Sequence, residues 1–174
     1  MKQIFGLVGP SGAGKTTLIL EIVKRFPTTV GIVKSLTTRP RRGAEDDAFY
    51  DFVSPEEMTQ RQSEGRLVQT AEYAGNYYAN DRETLDALLK EKFGIAALVE
   101  DGVNNFRHAG YHVAVIKVMP FHHKPTEDEK RARADEERAL THVPADFVLN
   151  NSFEPGGKEK AIEHLATYIQ SFAR

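Results

Sequence analysis

The sequence predicts a three-layer α/β fold, a central parallel sheet with helices on both faces. Three observations carry that expectation. Short apolar runs of buried-strand type alternate with amphipathic helical segments along most of the 174 residues. A glycine-rich turn, residues 9–16, sits between the first such run and the first helix. That turn, Ser35 and Glu100 all fall where strands end, and open α/β sheets bind ligands beyond the carboxyl ends of their strands.

Ile4-Phe5-Gly6-Leu7-Val8 reads as the first strand. The residues after it, Gly9-Pro10-Ser11-Gly12-Ala13-Gly14-Lys15-Thr16, match G-x-x-x-x-G-K-[ST] without exception, the P-loop signature. Its glycines let consecutive N–H groups turn inward and cradle phosphate oxygens. Lys15 supplies a mobile positive charge for the β- and γ-phosphates, and the Thr16 hydroxyl, with Thr17 beside it, stands where Mg²⁺ is ligated. Leu18, Ile19, Ile22, Val23 and Phe26 then repeat at helical spacing until Pro27 stops them, and that helix points its partial positive end at the same anion. The chain is thus expected to have a P-loop NTPase fold and to bind a nucleoside triphosphate with Mg²⁺.

Val30–Val33 is the second strand. Thr37 to Asp47 reads as a loop, because proline, glycine and a switch from three arginines to three acids interrupt any periodicity. Phe49–Val53 is a short strand, and Ser54-Pro55-Glu56-Glu57 opens a helix with Ser as N-cap and Pro at N1. Leu67–Tyr73 and Tyr77–Asn80 flank a turn. Asp81 caps a helix expected to run to Phe93, Ile95–Val99 is a doubly covered strand, and a short helix passes through Phe106. His112–Val118 is another central strand, 122–142 is charged and helical, Asp146–Asn151 is a last strand, and a final helix follows Pro155-Gly156-Gly157. Residues 36–80 form a small antiparallel insert in the core (1–35, 81–119 and 144–174), and 120–143 form a lid.

A net charge of −2 offers no global field for nucleic acid, and no apolar run reaches membrane-spanning length. Cysteine is absent, which excludes disulfides and thiolate metal sites. With Met1 leading directly into the first strand, a cytoplasmic monomer or weak homodimer acting on small nucleotides is expected. His122-His123 reads as a solvated pair rather than a metal site.

With Thr37-Thr38-Arg39-Pro40-Arg41-Arg42-Gly43 and Gly75-Asn76-Tyr77-Tyr78 at this spacing, the chain resembles guanylate kinases. The match is good to about residue 110 and thinner beyond it. The resemblance implies transfer of the ATP γ-phosphoryl group to GMP or dGMP, with the acceptor's phosphate held by Arg39, Arg42, Tyr50 and Tyr78. Two guanidinium forks and two phenols suit a phosphate dianion. It further implies that Glu45 holds one of these arginines, that Ser35, Asn80 and Glu100 line the acceptor site, and that Asn150 lies near adenine. Tyr77 reads as a core aromatic. Arg131 is the lid's candidate for stabilising the transferring phosphoryl, although Arg131 and Arg133 read equally well as surface residues paired with Asp128 or Glu137. Glu100 or Asp101, depending on register, would orient water on the Mg²⁺.

The important departure from the family lies in the base pocket. Gln69 stands where guanylate kinases carry the carboxylate that accepts two N–H groups of guanine. An amide offers one acceptor and a donor pair, which suits a base edge with one donor and one acceptor. Asn80, too, replaces the family's Ser or Thr. Three readings stay open: GMP with Glu72 or Glu100 supplying the carboxylate, a kinase of another acceptor (IMP, AMP or another phosphorylated metabolite), and a non-catalytic binding module of the same fold.

Overall fold

The structure, a computed structural model, describes residues 3–73, 75–121 and 143–173. Its elements, in chain order, are β1 (Ile4–Val8), α1 (Lys15–Arg25), β2 (Val30–Ile32), β3 (Ser35–Thr37), a 3-10 turn (Ala44–Ala48), β4 (Tyr50–Phe52) and α2 (Pro55–Ser63). There follow β5 (Leu67–Tyr73), β6 (Asn76–Asp81), α3 (Arg82–Glu91), β7 (Phe93–Ala97), α4 (Glu100–His108), β8 (Val113–Phe121), β9 (Phe147–Ser152) and α5 (Gly157–Gln170).

Five strands in the order β2-β7-β1-β8-β9 form an all-parallel central sheet. Every β1 residue is buried, as expected of a strand covered on both faces. One face packs Phe5, Leu7, Ile95 and Ile116 against Leu18, Ile19 and Ile22 of α1 and Leu165 and Ile169 of α5. The other packs Ile4, Val8, Val113 and Val115 against Leu85 and Leu89 of α3 and Val103 and Phe106 of α4. Helix starts are fixed locally: Ser54 Oγ accepts from the Glu57 N–H at 3.1 Å, and Asp81 Oδ1 from the Thr84 N–H at 3.2 Å.

A second sheet, in the order β4-β3-β6-β5, is antiparallel except for the parallel β3–β4 pair. Its β3 was expected as strand end and loop. Three residues suffice here because Leu36 and Thr37 pair with Ala79 and Tyr78 of β6, a non-local partnership that local turn signals hide. Helix α3 also stops at Glu91 rather than Phe93. The Phe93 N–H instead donates to Thr29 O at 2.9 Å, and its ring packs 5.5 Å from that of Phe5, so β7 begins early. Residues 122–142, with Arg131, Arg133 and the His122-His123 pair, lie outside the described residues.

This topology gathers the site. The P-loop follows β1, α4 follows β7, and β2 leads through Val33 and Lys34 into the second sheet. All three leave the central sheet at its carboxyl end.

Candidate functional site

The P-loop is shaped by glycine. Gly9, Gly12 and Gly14 have φ of 151°, 74° and 86°. Gly9 also lies so close to the Val118 carbonyl that a Cβ would come within 2.5 Å of its oxygen, which fixes the loop against β8. Lys15 opens α1, and its Nζ donates to Gly9 O and Pro10 O at 2.7 Å each, arching over the loop. Ala13 is buried, Ser11 is half-buried, and Thr16 and Thr17 are exposed on the first helical turn. That turn carries no acid, and Lys24 and Arg25 close the helix, so the charge pattern leaves its amino end attractive to anions.

Asn151 supports the loop from β9. Its Nδ2 donates to Ala13 O at 2.8 Å, and the residue is 4% exposed. Its neighbour Asn150, expected near adenine, is exposed; Leu149 is buried, so strand alternation turns Asn151 inward and Asn150 outward.

A second polar centre forms on the β4-β3-β6-β5 sheet. Tyr50 lies opposite Ser35, and its ring stands 6.1 Å from that of Tyr78, edge to face. The Arg39 guanidinium sits over the Tyr50 ring at 5.1 Å. Arg39 is only 6% exposed, and Asp46 compensates its charge: Asp46 Oδ2 lies 2.9 Å from Arg39 Nη2 and accepts the Arg42 backbone N–H at 2.9 Å. Burial works against the Arg39 charge, but Asp46 more than offsets it, and the guanidinium is held above its usual value. The Arg42 N–H and then Arg39 hold the Asp46 carboxyl below the ordinary carboxylate range. Burial, then the neighbouring Tyr78, pushes the Tyr50 phenol up, which keeps it a protonated donor. Arg42 itself is exposed at the rim.

Three expectations are corrected here. The arginine-holding carboxylate is Asp46, not Glu45, because the 3-10 turn rotates Asp46 inward while the Glu45 carboxylate curls over Gly43. Tyr77 is 49% exposed rather than core, since it alternates with the inward Tyr78. Glu72 pairs with Tyr77 in the β5–β6 register and is exposed, so it lies on the face opposite Gln69 and cannot stand in for it.

Gln69 pairs directly with Asn80 across β5–β6, on the face shared with Tyr78. Asn80 Nδ2 donates to Lys34 O at 2.8 Å and approaches Ser35 Oγ at 3.4 Å. Glu100 and Asp101 occupy the first turn of α4, with Glu100 half-buried and Asp101 exposed.

A family model described as guanylate kinase matches residues 1–171. The chain belongs to the guanylate kinase family. It is thereby placed among the ATP-dependent phosphotransferases. The guanylate kinase of Trichormus variabilis is 30% identical over 140 residues, covering 79% of this chain and 70% of that one. That of Ralstonia nicotianae is 25% identical over 183 residues, covering 97% and 81%. In fold, the chain is similar to the crystal structure of guanylate kinase from Anaplasma phagocytophilum, with a TM-score of 0.66 at 23% identity over 98% of this chain and 85% of that one. Among the described residues, no helix is long and apolar enough to cross a membrane.

Proposed function

We propose that this chain transfers the γ-phosphoryl group of ATP to a guanine nucleoside monophosphate, GMP or dGMP. The observation that carries this reading is the buried Arg39, held by Asp46 over Tyr50 and beside Tyr78: an anion seat separate from the P-loop, in a family of kinases. ATP fits the first seat, whose curl comes from three positive-φ glycines, with Gly9 and Gly14 packed so closely on Val118 and Asn151 that neither position has room for a Cβ.

Lys15 then moves from the Gly9 and Pro10 carbonyls to the phosphates, a displacement a charged ligand favours over neutral carbonyls. Arg39 and Arg42 grip the acceptor's phosphate, while Tyr50 and Tyr78 donate to its remaining oxygens. With both phosphates fixed, the rate comes from alignment and from charge placed where it develops. Arg131 would add to that charge from the lid.

The donor set also suits Mg²⁺. Among the described residues no three metal-ligating side chains gather, so a cation would be held mainly by nucleotide phosphates and the Thr16 hydroxyl, with Glu100 or Asp101 reached through water. When bound, Mg²⁺ neutralises the phosphate charge.

Phosphorus NMR of ATP, Mg²⁺ and GMP with the protein tests the proposal. Growth of GDP and ADP signals together supports it; an unchanged GMP signal beside ATP hydrolysis removes it.

A further inference from the structure

We propose that Thr37 is a positioning residue of the acceptor clamp, its hydroxyl holding the Arg39 main chain so that the guanidinium meets the phosphate. This rests on the reading of Arg39, Tyr50 and Tyr78 as the seat of that phosphate. Thr37 closes β3 and is fully buried, at 0% exposure. A buried strand position favours valine, which fills nearly the same volume and brings no polar group into the core. A hydroxyl there needs a partner, and it has one: Thr37 Oγ1 accepts the Arg39 N–H at 3.1 Å.

That bond reaches two residues along the chain, the local turn by which threonine side chains redirect a backbone. It holds Arg39 from its amino side. Pro40 restricts it from the other, because a residue before proline is biased to extended conformations. With the main chain held at both ends, the side chain leaves in a fixed direction. The guanidinium arrives 5.1 Å over the Tyr50 ring and 2.9 Å from the Asp46 carboxylate. Asp46 thus holds the charged end of Arg39, and Thr37 its backbone.

Thr37 also joins the two strands that bear the clamp's tyrosines. Its carbonyl accepts the Val53 N–H at 3.0 Å, just past β4, the strand of Tyr50. Its register partner in β6 is Tyr78 itself. Thr38 continues the attachment beyond the end of β3: its N–H donates to Tyr77 O at 3.1 Å, and its hydroxyl accepts the Tyr77 N–H at 3.0 Å. The guanidinium and both phenols are therefore referred to one point of the sheet. Thr37→Val keeps the carbonyl and the strand register and removes the hydroxyl, so its effect falls on Arg39.

The test measures kcat/KM for GMP and KM for ATP in the wild type, Thr37→Val, Thr37→Ser, Arg39→Ala, and Thr37→Val combined with Arg39→Ala. Thermal midpoints show which variants are folded. Thr37→Val should lower kcat/KM for GMP about tenfold, mainly through KM, with the KM for ATP unchanged. Thr37→Ser restores the acceptor oxygen and should stay within about threefold of the wild type. Added to Arg39→Ala, Thr37→Val should cost less than about twofold, since a residue acting through Arg39 has nothing left to position. Equal losses in the two backgrounds would show a hydroxyl that acts independently of Arg39 and would overturn the proposal. So would wild-type kinetics in Thr37→Val, or a Thr37→Ser variant as impaired as Thr37→Val. Should Thr37→Val not fold, Thr37→Ala against Thr37→Ser, which differ by the hydroxyl alone, makes the same comparison with the same outcomes. Full kcat/KM for GMP in Arg39→Ala would instead remove the clamp reading on which this one rests.

Discussion

Asp46 Oδ2 sits 2.9 Å from Arg39 Nη2 and accepts the Arg42 backbone N–H from the same oxygen. One carboxylate thereby orders the guanidinium and the loop that carries the other proposed clamp arginine. Replacing Asp46 by Asn keeps an acceptor but removes the charge, and the acceptor KM should rise about tenfold, in line with the loss of a charge-assisted hydrogen bond. The KM for ATP should stay constant. Initial rates with each substrate varied in turn separate the two; equal changes in both would show a general loss of structure.

Arg39→Ala should cost more, on the order of a thousandfold in kcat/KM for the acceptor, because it removes the phosphate contact and leaves Asp46 without its partner. Glu45→Ala should change little by comparison. Steady-state kinetics on the two variants decide between neighbouring acids that spacing alone could not rank.

The pH dependence follows from the same pair. The folded Asp46 carboxyl lies below its ordinary value, so its link to Arg39 is complete above about pH 4 and fades only as pH falls through the lower folded value. Tyr50 is pushed above its ordinary value of about 10 and keeps its proton through neutral pH. The KM for the acceptor should accordingly be flat from about pH 5.5 to 9 and rise on the acid side only below that window. A break near neutrality in the acceptor KM, corrected for the phosphate's own ionisation, would assign the clamp to another titrating group.

Asn151→Ala removes the bond to Ala13 O and should raise the ATP KM several-fold while lowering stability by about 1–3 kcal/mol. Asn150→Ala should leave stability within about 0.5 kcal/mol of the wild type, being exposed. Thermal melts and ATP titrations on both variants check the contrast.

Much of this was legible in the residues. The P-loop glycines, the caps at Ser54 and Asp81 and the continuous apolar runs follow from local chemistry, and the parallel sheet follows from their alternation. What escaped depends on partners distant in sequence. Strand β3 exists because β6 pairs with it, and β7 starts at Phe93 because the sheet and Phe5 claim that residue. At the site, the carboxylate that holds Arg39 is the neighbour of the expected one: Asp46 stands beside Glu45. A one-residue offset reverses which way a side chain points, and only the turn or the strand register decides it.

The central claim is tested most directly by Lys15, whose Nζ spans the Gly9 and Pro10 carbonyls above the phosphate cradle. ADP release from ATP should depend on added GMP in the wild type and fall by about three orders of magnitude or more in Lys15→Ala, with the melting transition preserved. GMP-dependent release surviving intact in that variant would contradict a P-loop mechanism.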